Sequence, residues 1–224
     1  MSDVAEQRYH ELRRGMVERQ LRGRGITDER VLAAMGTVPR HLFVPPHLRA
    51  AAYADSPLEI GHDQTISQPL MVAIMLEALE LRGPERVLEV GCGSGYQAAL
   101  LAKLAAEVYA VEIIPELARG AERALALADI AGVEVIVGDG GLGWPAAAPY
   151  DAIVVAAAAP EVPAPLVDQL GDGGRLVLPV GNGVLQTLLR IRKRGRATHS
   201  ENLGGCAFVP LTGARGVHGR RGFW

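Results

Sequence analysis

Cysteine is scarce in this chain, and histidine is not clustered. Two cysteines among 224 residues, Cys92 and Cys206, are too few for the disulfide framework of a small secreted domain. The six histidines are scattered without the HExxH-type spacing of a metal-binding helix, and neither cysteine belongs to a ligand cluster. We therefore expect no bound metal, and a reducing cytoplasm is the simplest compartment.

The sequence also lacks a strong net charge and long apolar runs. A formal net charge of −2 gives no surplus of cations, so nucleic acid is not an expected partner. The densest basic run, residues 190–196, predicts an exposed hairpin between edge strands, with attraction of substrate or RNA as the alternative. No stretch approaches 18 uncharged apolar residues and the first residues are polar, so we expect neither a membrane span nor a signal peptide. A monomer is the simplest state.

The first 81 residues predict helices followed by a long loop. Apolar positions on one face predict a helix over residues 9–23, and Thr27 is placed to cap a second helix that contains Val31 and Met35. Prolines then interrupt the chain, and residues 47–68 are predicted to form a long ordered loop, which in compact domains is often functional. Ser67 is predicted to be the N-cap of a helix that runs to about residue 81.

From residue 86 onward, short apolar runs alternate with helical patterns, which predicts an α/β fold with a doubly wound, mostly parallel sheet. The predicted strands are 86–90, 107–112, 133–137, 151–156 and 175–180, and the predicted helices are 96–105, 115–130 and 163–170. Residues 185–192 and 207–211 have no crossover helix between them and should form an antiparallel end, giving seven strands. We interpret residues 1–224 as one domain with an N-terminal helical cap and active-site loop to about residue 81, a cofactor-binding core over 82–214 and a tail.

The first predicted strand runs directly into the glycine turn Gly91-Cys92-Gly93-Ser94-Gly95. Glycines at this place let the backbone turn sharply and let a ligand approach the amides of the following helix. A dinucleotide site has GxGxxG, whereas this chain has GxGxG with Tyr96 at the position of the third glycine. The pattern therefore favours S-adenosylmethionine over NAD.

Acidic residues follow the next two strands. Glu112 ends the second strand, where a carboxylate can accept hydrogen bonds from ribose hydroxyls. Asp139 and Gly140 follow the third strand, where a carboxylate and a backbone amide can contact adenine. Taken singly, Glu112 is better explained as a solvated strand end and Asp139 as a turn residue. Together they lie at successive strand tips, where open α/β sheets bind ligands, and so predict an adenosyl cofactor.

Several motifs resemble the protein-L-isoaspartate O-methyltransferase family over about residues 14–214. The most specific is Gln64-Thr65-Ile66-Ser67-Gln68-Pro69, which methyltransferases in general lack. The others are Met16-Val17-Glu18-Arg19-Gln20-Leu21, Arg24-Gly25-Ile26, the run from Val38 to Pro45, Ala52-Tyr53-Ala54-Asp55, the glycine turn, Gly138-Asp139-Gly140 and Phe208-Val209-Pro210-Leu211. Members have a Rossmann-like S-adenosylmethionine methyltransferase fold. They methylate the α-carboxylate of isoaspartyl residues in damaged proteins, and the ester then collapses to a succinimide that partly hydrolyses to aspartate.

The resemblance implies a role for individual residues. Ser67 is implied to be the active-site residue, and Val209 and Leu211 are implied to contact the substrate together with Ser67. The cofactor-binding residues are predicted to be Thr65, Ile66, Ser67, Glu89, Gly91, Gly93, Ser94, Gly95, Glu112, Asp139, Gly140 and Thr212. The chain departs from the family at Asp63, where a glycine is usual, and at Ala207, where an arginine is usual.

The chemistry of a carboxylate acceptor agrees with the sequence. A carboxylate with a reference pKa of about 4 is already ionised at neutral pH and needs no general base. The fourth strand opens into residues 156–159, all alanine, followed by Pro160, with no base or nucleophile. An enzyme that methylates nucleic-acid amines typically has a polar residue and two prolines there. Two alternatives stay open: a carboxyl methyltransferase dedicated to one peptide, and a non-catalytic module that binds cofactor or peptide.

Overall fold

The structure of the protein is a computed structural model that describes residues 3–183 and 185–216. The predicted tail therefore lies mostly outside the described residues, at 217–224. Helix α1 (Asp3–Gly15) continues through a π-helical turn (Met16–Leu21) and a 3₁₀ turn (Arg22–Arg24), so the helix predicted over 9–23 is present but irregular. Helix α2 spans Glu29–Thr37, and its N-cap is Asp28, whose side chain accepts from the amides of Arg30 and Val31. The prediction that Thr27 caps this helix was wrong by one residue.

The segment predicted as a long loop has structure of its own. After a 3₁₀ turn at Arg40–Phe43, the segment contains a second 3₁₀ turn (Pro46–Ala51) and a small hairpin made of strands β1 (Leu58–Gly61) and β2 (Gln64–Ile66). Helix α3 (Pro69–Ala78) follows, and its N-cap is Gln68, without any side-chain capping hydrogen bond. The prediction that Ser67 caps α3 was therefore wrong, because Pro69 at the first turn has no amide for a cap to satisfy and the helix begins one residue later.

Seven strands form the main sheet. They are β3 (Arg86–Val90), β4 (Glu107–Glu112), β5 (Val133–Val137), β6 (Tyr150–Val155), β7 (Leu170–Asn182), β8 (Leu185–Arg194) and β9 (Ala197–Cys206). Their order is β5-β4-β3-β6-β7-β8-β9; the first five pair in parallel, and β8 and β9 are antiparallel. The chain reverses direction across the sheet after β5, and this switch point next to β3 is where such sheets bind ligands.

The last strand was predicted in the wrong place. The basic run closes the β8–β9 hairpin, with Gly195 at φ +57°, and the edge strand is Ala197–Cys206 instead of residues 207–211. Its ten residues are mostly polar and exposed, so they lack the apolar alternation from which a strand is predicted. Residues 209–211 instead run beside the tip of β6, where the Ala158 amide donates to the Val209 carbonyl (2.8 Å) and the Leu211 amide to the Ala158 carbonyl (2.8 Å).

Helices cover both faces of the sheet. Helices α4 (Tyr96–Leu101), α5 (Pro115–Leu127) and α6 (Ala164–Asp168) follow β3, β4 and the β6 tip, and each is shorter than predicted. One buried cluster joins α2, α3 and α4 to one face, and a second fills the other face with Leu88, Ile153 and Leu176 among its members. Within residues 3–183 and 185–216, no helix combines the length and the apolar content needed to cross a bilayer.

Candidate functional site

A cleft opens at the carboxyl ends of the parallel strands. Its walls come from the β1–β2 hairpin, the segment after β9 and the tips of four strands, β3, β4, β5 and β6. The lining residues are Gln64, Thr65, Val90, Gly91, Gly93, Val111, Glu112, Ile113, Ile114, Gly140, Ala156, Ala157, Val209, Pro210, Leu211 and Thr212. In the part of the chain that the structure describes, no three His, Cys, Asp or Glu side chains are placed to hold a metal ion.

The glycine turn forms one wall of this cleft. Gly91, Gly93 and Gly95 have φ values of +78°, +51° and +83°, a conformation that residues with a Cβ rarely adopt. A Cβ on Gly95 would lie 2.9 Å from the Ala121 Cβ, so only glycine lets α5 pack directly against the turn. The turn is therefore fixed by packing from behind while its front remains open to the cleft.

Glu112 connects the two strand tips. Its carboxylate accepts from the Gly93 amide (2.8 Å) and from the Ile114 amide (3.0 Å), and the side chain is nearly buried. Each carboxylate oxygen has a second lone-pair direction, so Glu112 retains acceptor capacity toward the cleft. The predicted ribose acceptor is thus also a structural part of the glycine turn.

Glu89 lies on β3, two residues before the glycine turn. It is 0% exposed, and neither carboxylate oxygen has a hydrogen-bond partner among the described residues. Burial, and secondarily the charge of Glu112, raises the pKa of Glu89 to about 8. Burial likewise raises the pKa of the Cys92 thiol well above its ordinary range, so this cysteine is not a reactive thiolate.

Asp139 organises the third strand tip. Its carboxylate accepts from the Gly141 amide (2.9 Å) and from the Ala214 amide (2.7 Å), so it joins the tip of β5 to the end of the described chain. A Cβ on Gly213 would collide with this carboxylate, and a Cβ on Gly140 would lie 2.5 Å from Val90 Cγ1. Both glycines are therefore required by close approach, and Gly140 itself lines the cleft.

The substrate segment predicted near Val209 is held by a side chain that the sequence did not single out. Gln186, on β8, accepts from the Phe208 amide (2.7 Å) and donates to the Phe208 carbonyl (2.9 Å), as a neighbouring strand would. Val209 and Leu211 line the cleft, as do Ala156 and Ala157. Ala207, the departure from the family, is exposed just before this segment and forms no part of the wall.

The β1–β2 hairpin lies over the glycine turn. A Cβ on Gly93 would lie 3.2 Å from Ile60 Cδ1, and Gln64 and Thr65 line the cleft. Asp63 has φ +57° in the tight turn of this hairpin. A left-handed residue at this position accounts for the glycine that is usual in the family, and aspartate is among the few residues that tolerate it.

Ser67 is half-buried beside the cleft, and it is not among the lining residues. Its carbonyl accepts from Arg40 Nη2 (2.7 Å), while its hydroxyl has no hydrogen bond to any described residue. Since the hydroxyl neither caps α3 nor bonds elsewhere in the described chain, it is free to contact a ligand.

The structure brings together most of the predicted site residues. Eight of them line the cleft: Thr65, Gly91, Gly93, Glu112, Gly140, Val209, Leu211 and Thr212. Six do not line it: Ile66, Ser67, Glu89, Ser94, Gly95 and Asp139. Of these, Ile66 is buried, and the Ser94 hydroxyl accepts from the Tyr96 amide (3.3 Å) at the start of α4. The sequence reasoning missed six lining residues: Gln64, Val90, Val111, Ile113, Ile114 and Pro210. All but Ile114 adjoin a predicted position.

Comparison with known proteins identifies the family. The family model described as Protein-L-isoaspartate(D-aspartate) O-methyltransferase (PCMT) matches residues 13–216. A relative named protein-L-isoaspartate O-methyltransferase from Methanoculleus marisnigri is 59% identical over 92% of this chain and 94% of its own. A relative of the same name from Methanoregula boonei is 53% identical over 91% of this chain and 94% of its own.

Two solved structures are similar across the whole fold. One, called protein-L-isoaspartate O-methyltransferase, has a TM-score of 0.81 at 28% identity and covers 91% of this chain and 66% of its own. The other, described as a beta-aspartate methyltransferase from Plasmodium falciparum in complex with S-adenosyl-L-homocysteine, has a TM-score of 0.78 at 26% identity over 89% and 98%. The chain belongs to the protein-L-isoaspartate(D-aspartate) O-methyltransferase family.

Proposed function

We propose that this protein transfers a methyl group from S-adenosylmethionine to the α-carboxylate of L-isoaspartyl residues in damaged proteins and peptides. The observation that carries the proposal is one cleft lined by the family's most specific motif, through Gln64 and Thr65, and by the predicted cofactor residues Gly93 and Glu112. The methyl ester that results is the starting point of repair through a succinimide.

The cofactor fits the residues at the strand tips. Glu89 has a buried carboxyl group without a partner in the described chain, and a cationic ligand group that donates hydrogen bonds to it would favour its ionised form. Glu112 retains lone pairs for the ribose hydroxyls, and Gly140 lets a flat ring approach the β5 tip. Tyr96 is fully buried where a dinucleotide site needs its third glycine. S-adenosylmethionine, when bound, supplies an electrophilic methyl group on a sulfonium.

The acceptor needs alignment more than activation. Its carboxylate is ionised at neutral pH, so the lack of a general base at Ala156 and Ala157 is appropriate. The free hydroxyl of Ser67 can donate to one carboxylate oxygen and leave the other directed at the methyl group. The alanine wall and the β1–β2 hairpin border the cleft, and Val209 and Leu211 offer backbone and apolar contacts to an extended peptide.

Cofactor choice is tested by calorimetric titration. The protein should bind S-adenosylmethionine and S-adenosylhomocysteine, and NAD should give no measurable heat of binding. Binding of NAD without binding of either methionine derivative would overturn the cofactor assignment.

The range of peptide sequences that the enzyme accepts is tested by a methyl-release assay on a panel of unrelated isoaspartyl peptides. A repair enzyme must accept damage in many contexts, so turnover should be similar across the panel. Activity on one peptide alone would instead assign a dedicated substrate, and binding without turnover would assign a non-catalytic module.

The proposal includes a monomer that works in the cytoplasm without nucleic acid. Support for the last of these points comes from the basic hairpin, whose first two arginines are engaged within the fold. Arg190 forms ion pairs with Glu80 and Glu201, and Arg192 with Glu80. Lys193 donates to three carbonyls at the end of α6, so the run is largely used to hold the sheet edge. Size-exclusion chromatography with light scattering tests the oligomeric state.

A further inference from the structure

Arg40 is a fully buried cation. It lies in the 3₁₀ turn Arg40–Phe43 and is 0% exposed, and no carboxylate of the described residues lies within ion-pairing distance of it. An arginine stays protonated in proteins, so the charge cannot be lost by titration. Burying a charge without a counter-ion is costly, and a well-packed apolar residue would avoid that cost. Arg40 is therefore expected to have a role that an apolar residue could not perform.

The guanidinium contacts three separate segments. Nε donates to the Ala52 carbonyl (2.7 Å), and Nη2 donates to the Ser67 carbonyl (2.7 Å). The Arg40 Cζ lies 4.7 Å from the ring centroid of Tyr96, the first residue of α4 after the glycine turn. Phe43 packs its ring edge-on against the same tyrosine, at 5.7 Å between centroids. One planar group thus joins the Ser67 backbone to the helix that begins at the cofactor wall.

Ser67 has few other fixed contacts. Its hydroxyl has no hydrogen bond to a described residue, and α3 begins after it without a side-chain cap. The next residue, Gln68, is tied to Asp55 (2.7 Å), which is itself paired with the half-exposed Arg24 (2.6 Å). Among the described residues, the hydrogen bond from the buried Arg40 guanidinium therefore relates the Ser67 backbone to the rest of the site.

We propose that Arg40 is a positioning residue that fixes the separation between Ser67 and the glycine turn, and hence between acceptor and methyl group. This inference rests on the proposed function. Arg40 is fully buried and is not among the residues that line the cleft, so it acts through the Ser67 carbonyl. A misplacement of about 1 Å can cost roughly a hundredfold in rate, so its effect should fall on kcat, with cofactor affinity nearly unchanged.

The chain offers a matched control in Arg13. Arg13 is also buried, at 7% exposed, and also donates to a carbonyl, that of Thr37 (3.1 Å), but it contacts no cleft residue through that bond. Each of Arg40→Met and Arg13→Met removes a buried guanidinium, and the first leaves two carbonyls without their donor and the second leaves one. Both should lower the melting temperature, whereas only Arg40→Met should lower kcat.

The experiment compares wild type, Arg40→Met, Arg40→Lys and Arg13→Met at a temperature where each is folded. It measures kcat and KM on one isoaspartyl peptide and the affinity for S-adenosylhomocysteine. Arg40→Met should lose about a hundredfold in kcat, and Arg40→Lys should recover only part, because an ammonium lacks the planar fork that serves two carbonyls at once. Equal kcat in Arg40→Met and Arg13→Met would overturn the inference. If Arg40→Met does not fold, Arg40→Lys decides in its place, and a kcat equal to that of wild type would overturn it.

A double variant separates positioning through Ser67 from a general effect. If Arg40 acts through Ser67, Arg40→Met should add little to the loss already caused by Ser67→Ala. Fully additive losses would contradict this route. The wild-type rate keeps the two hypotheses distinct: an inactive wild type defeats the proposed function, while an active wild type with an unaffected Arg40 variant defeats only this inference.

Discussion

Glu89 and Arg40 are both charged and both fully buried, and they differ in what surrounds them. Glu89 lies at the strand-tip side of the cleft, and its carboxylate has no partner among the described residues. Arg40 lies under the Ser67 loop, and its guanidinium contacts two carbonyls and an aromatic face. A buried group without a partner is costly, so it is best explained by a ligand that supplies one. A buried group with partners is best explained by the geometry it imposes.

The largest effect on kcat is expected from substitution of Ser67, whose backbone carbonyl accepts the hydrogen bond from Arg40. Ser67→Ala should lower kcat by about a hundredfold or more, because the acceptor carboxylate loses the donor that orients it. The melting temperature should move by only a few degrees, because the hydroxyl caps no helix. Ser67→Thr is the control and should retain part of the activity. Unchanged turnover of Ser67→Ala would leave orientation of the acceptor to backbone amides.

Glu89→Gln tests the contrast between Glu89 and Arg40. The substitution should weaken cofactor binding and, above about pH 5, raise the free energy of unfolding. S-adenosylhomocysteine affinity should fall by about ten- to a hundredfold, as expected for loss of a charged partner worth roughly 1.5–3 kcal/mol. The folded-state pKa of Glu89 is raised from its ordinary 4.5 to about 8. The wild type should therefore lose stability at roughly 1.4 kcal/mol per pH unit as the pH rises through this window. The Glu89→Gln variant cannot ionise at this position, so it should not show this loss of stability.

Glu85 provides the matched control for that prediction. It is buried too, but its carboxylate accepts from the amides of Arg82 and Gly83, both at 2.7 Å. Burial acts to raise the pKa of Glu85, and the hydrogen bonds from Gly83 and Arg82 together hold it below the ordinary value. Glu85→Gln should thus destabilise the fold at neutral pH and leave cofactor affinity intact. Melting curves of both variants between pH 5 and 9 check the contrast, and parallel curves for Glu89→Gln and wild type would contradict it.

Glu112 is intermediate between Glu89 and Arg40. Its carboxylate accepts hydrogen bonds from two backbone amides and retains lone pairs directed toward the cleft. Glu112→Gln keeps one acceptor oxygen, so we expect a loss of about tenfold in cofactor affinity together with a lower melting temperature. The second effect follows because either the Gly93 or the Ile114 amide loses its acceptor. Weaker binding with an unchanged melting curve would show that the amide contacts contribute nothing to stability.

The smallest effect is expected at Asp63, in the hairpin turn. Asp63→Gly should raise the free energy of unfolding by no more than about 1 kcal/mol, because relief of the left-handed conformation is partly offset by the entropy of glycine in the unfolded chain. Its kcat should stay at the wild-type level. Urea denaturation and the peptide assay check both outcomes, and a large change in kcat would show that the turn residue itself reaches the substrate.

The parallel strands were predicted more accurately from the sequence than the edge strand and the residues that support the site. Strands 86–90, 107–112 and 133–137 were predicted to the residue, because each is a short run rich in β-branched residues between helical patterns. The edge strand over 197–206 was missed because it is polar and exposed. Arg40 and Gln186 were not recognised as supporting residues, since their roles depend on contacts between segments distant in the chain. Spacing suggested a cap at Ser67, and only the geometry showed its hydroxyl to be uncommitted among the described residues.

The most direct test of the proposed function is the rate of methyl transfer to one isoaspartyl peptide and to its aspartyl twin of identical sequence. The two differ by one methylene in the backbone path, which shifts the carboxylate relative to the methyl group. The isoaspartyl peptide should be methylated, and the aspartyl twin should be slower by about a hundredfold or more. Comparable rates on the two peptides would contradict the assignment of this protein to isoaspartyl repair.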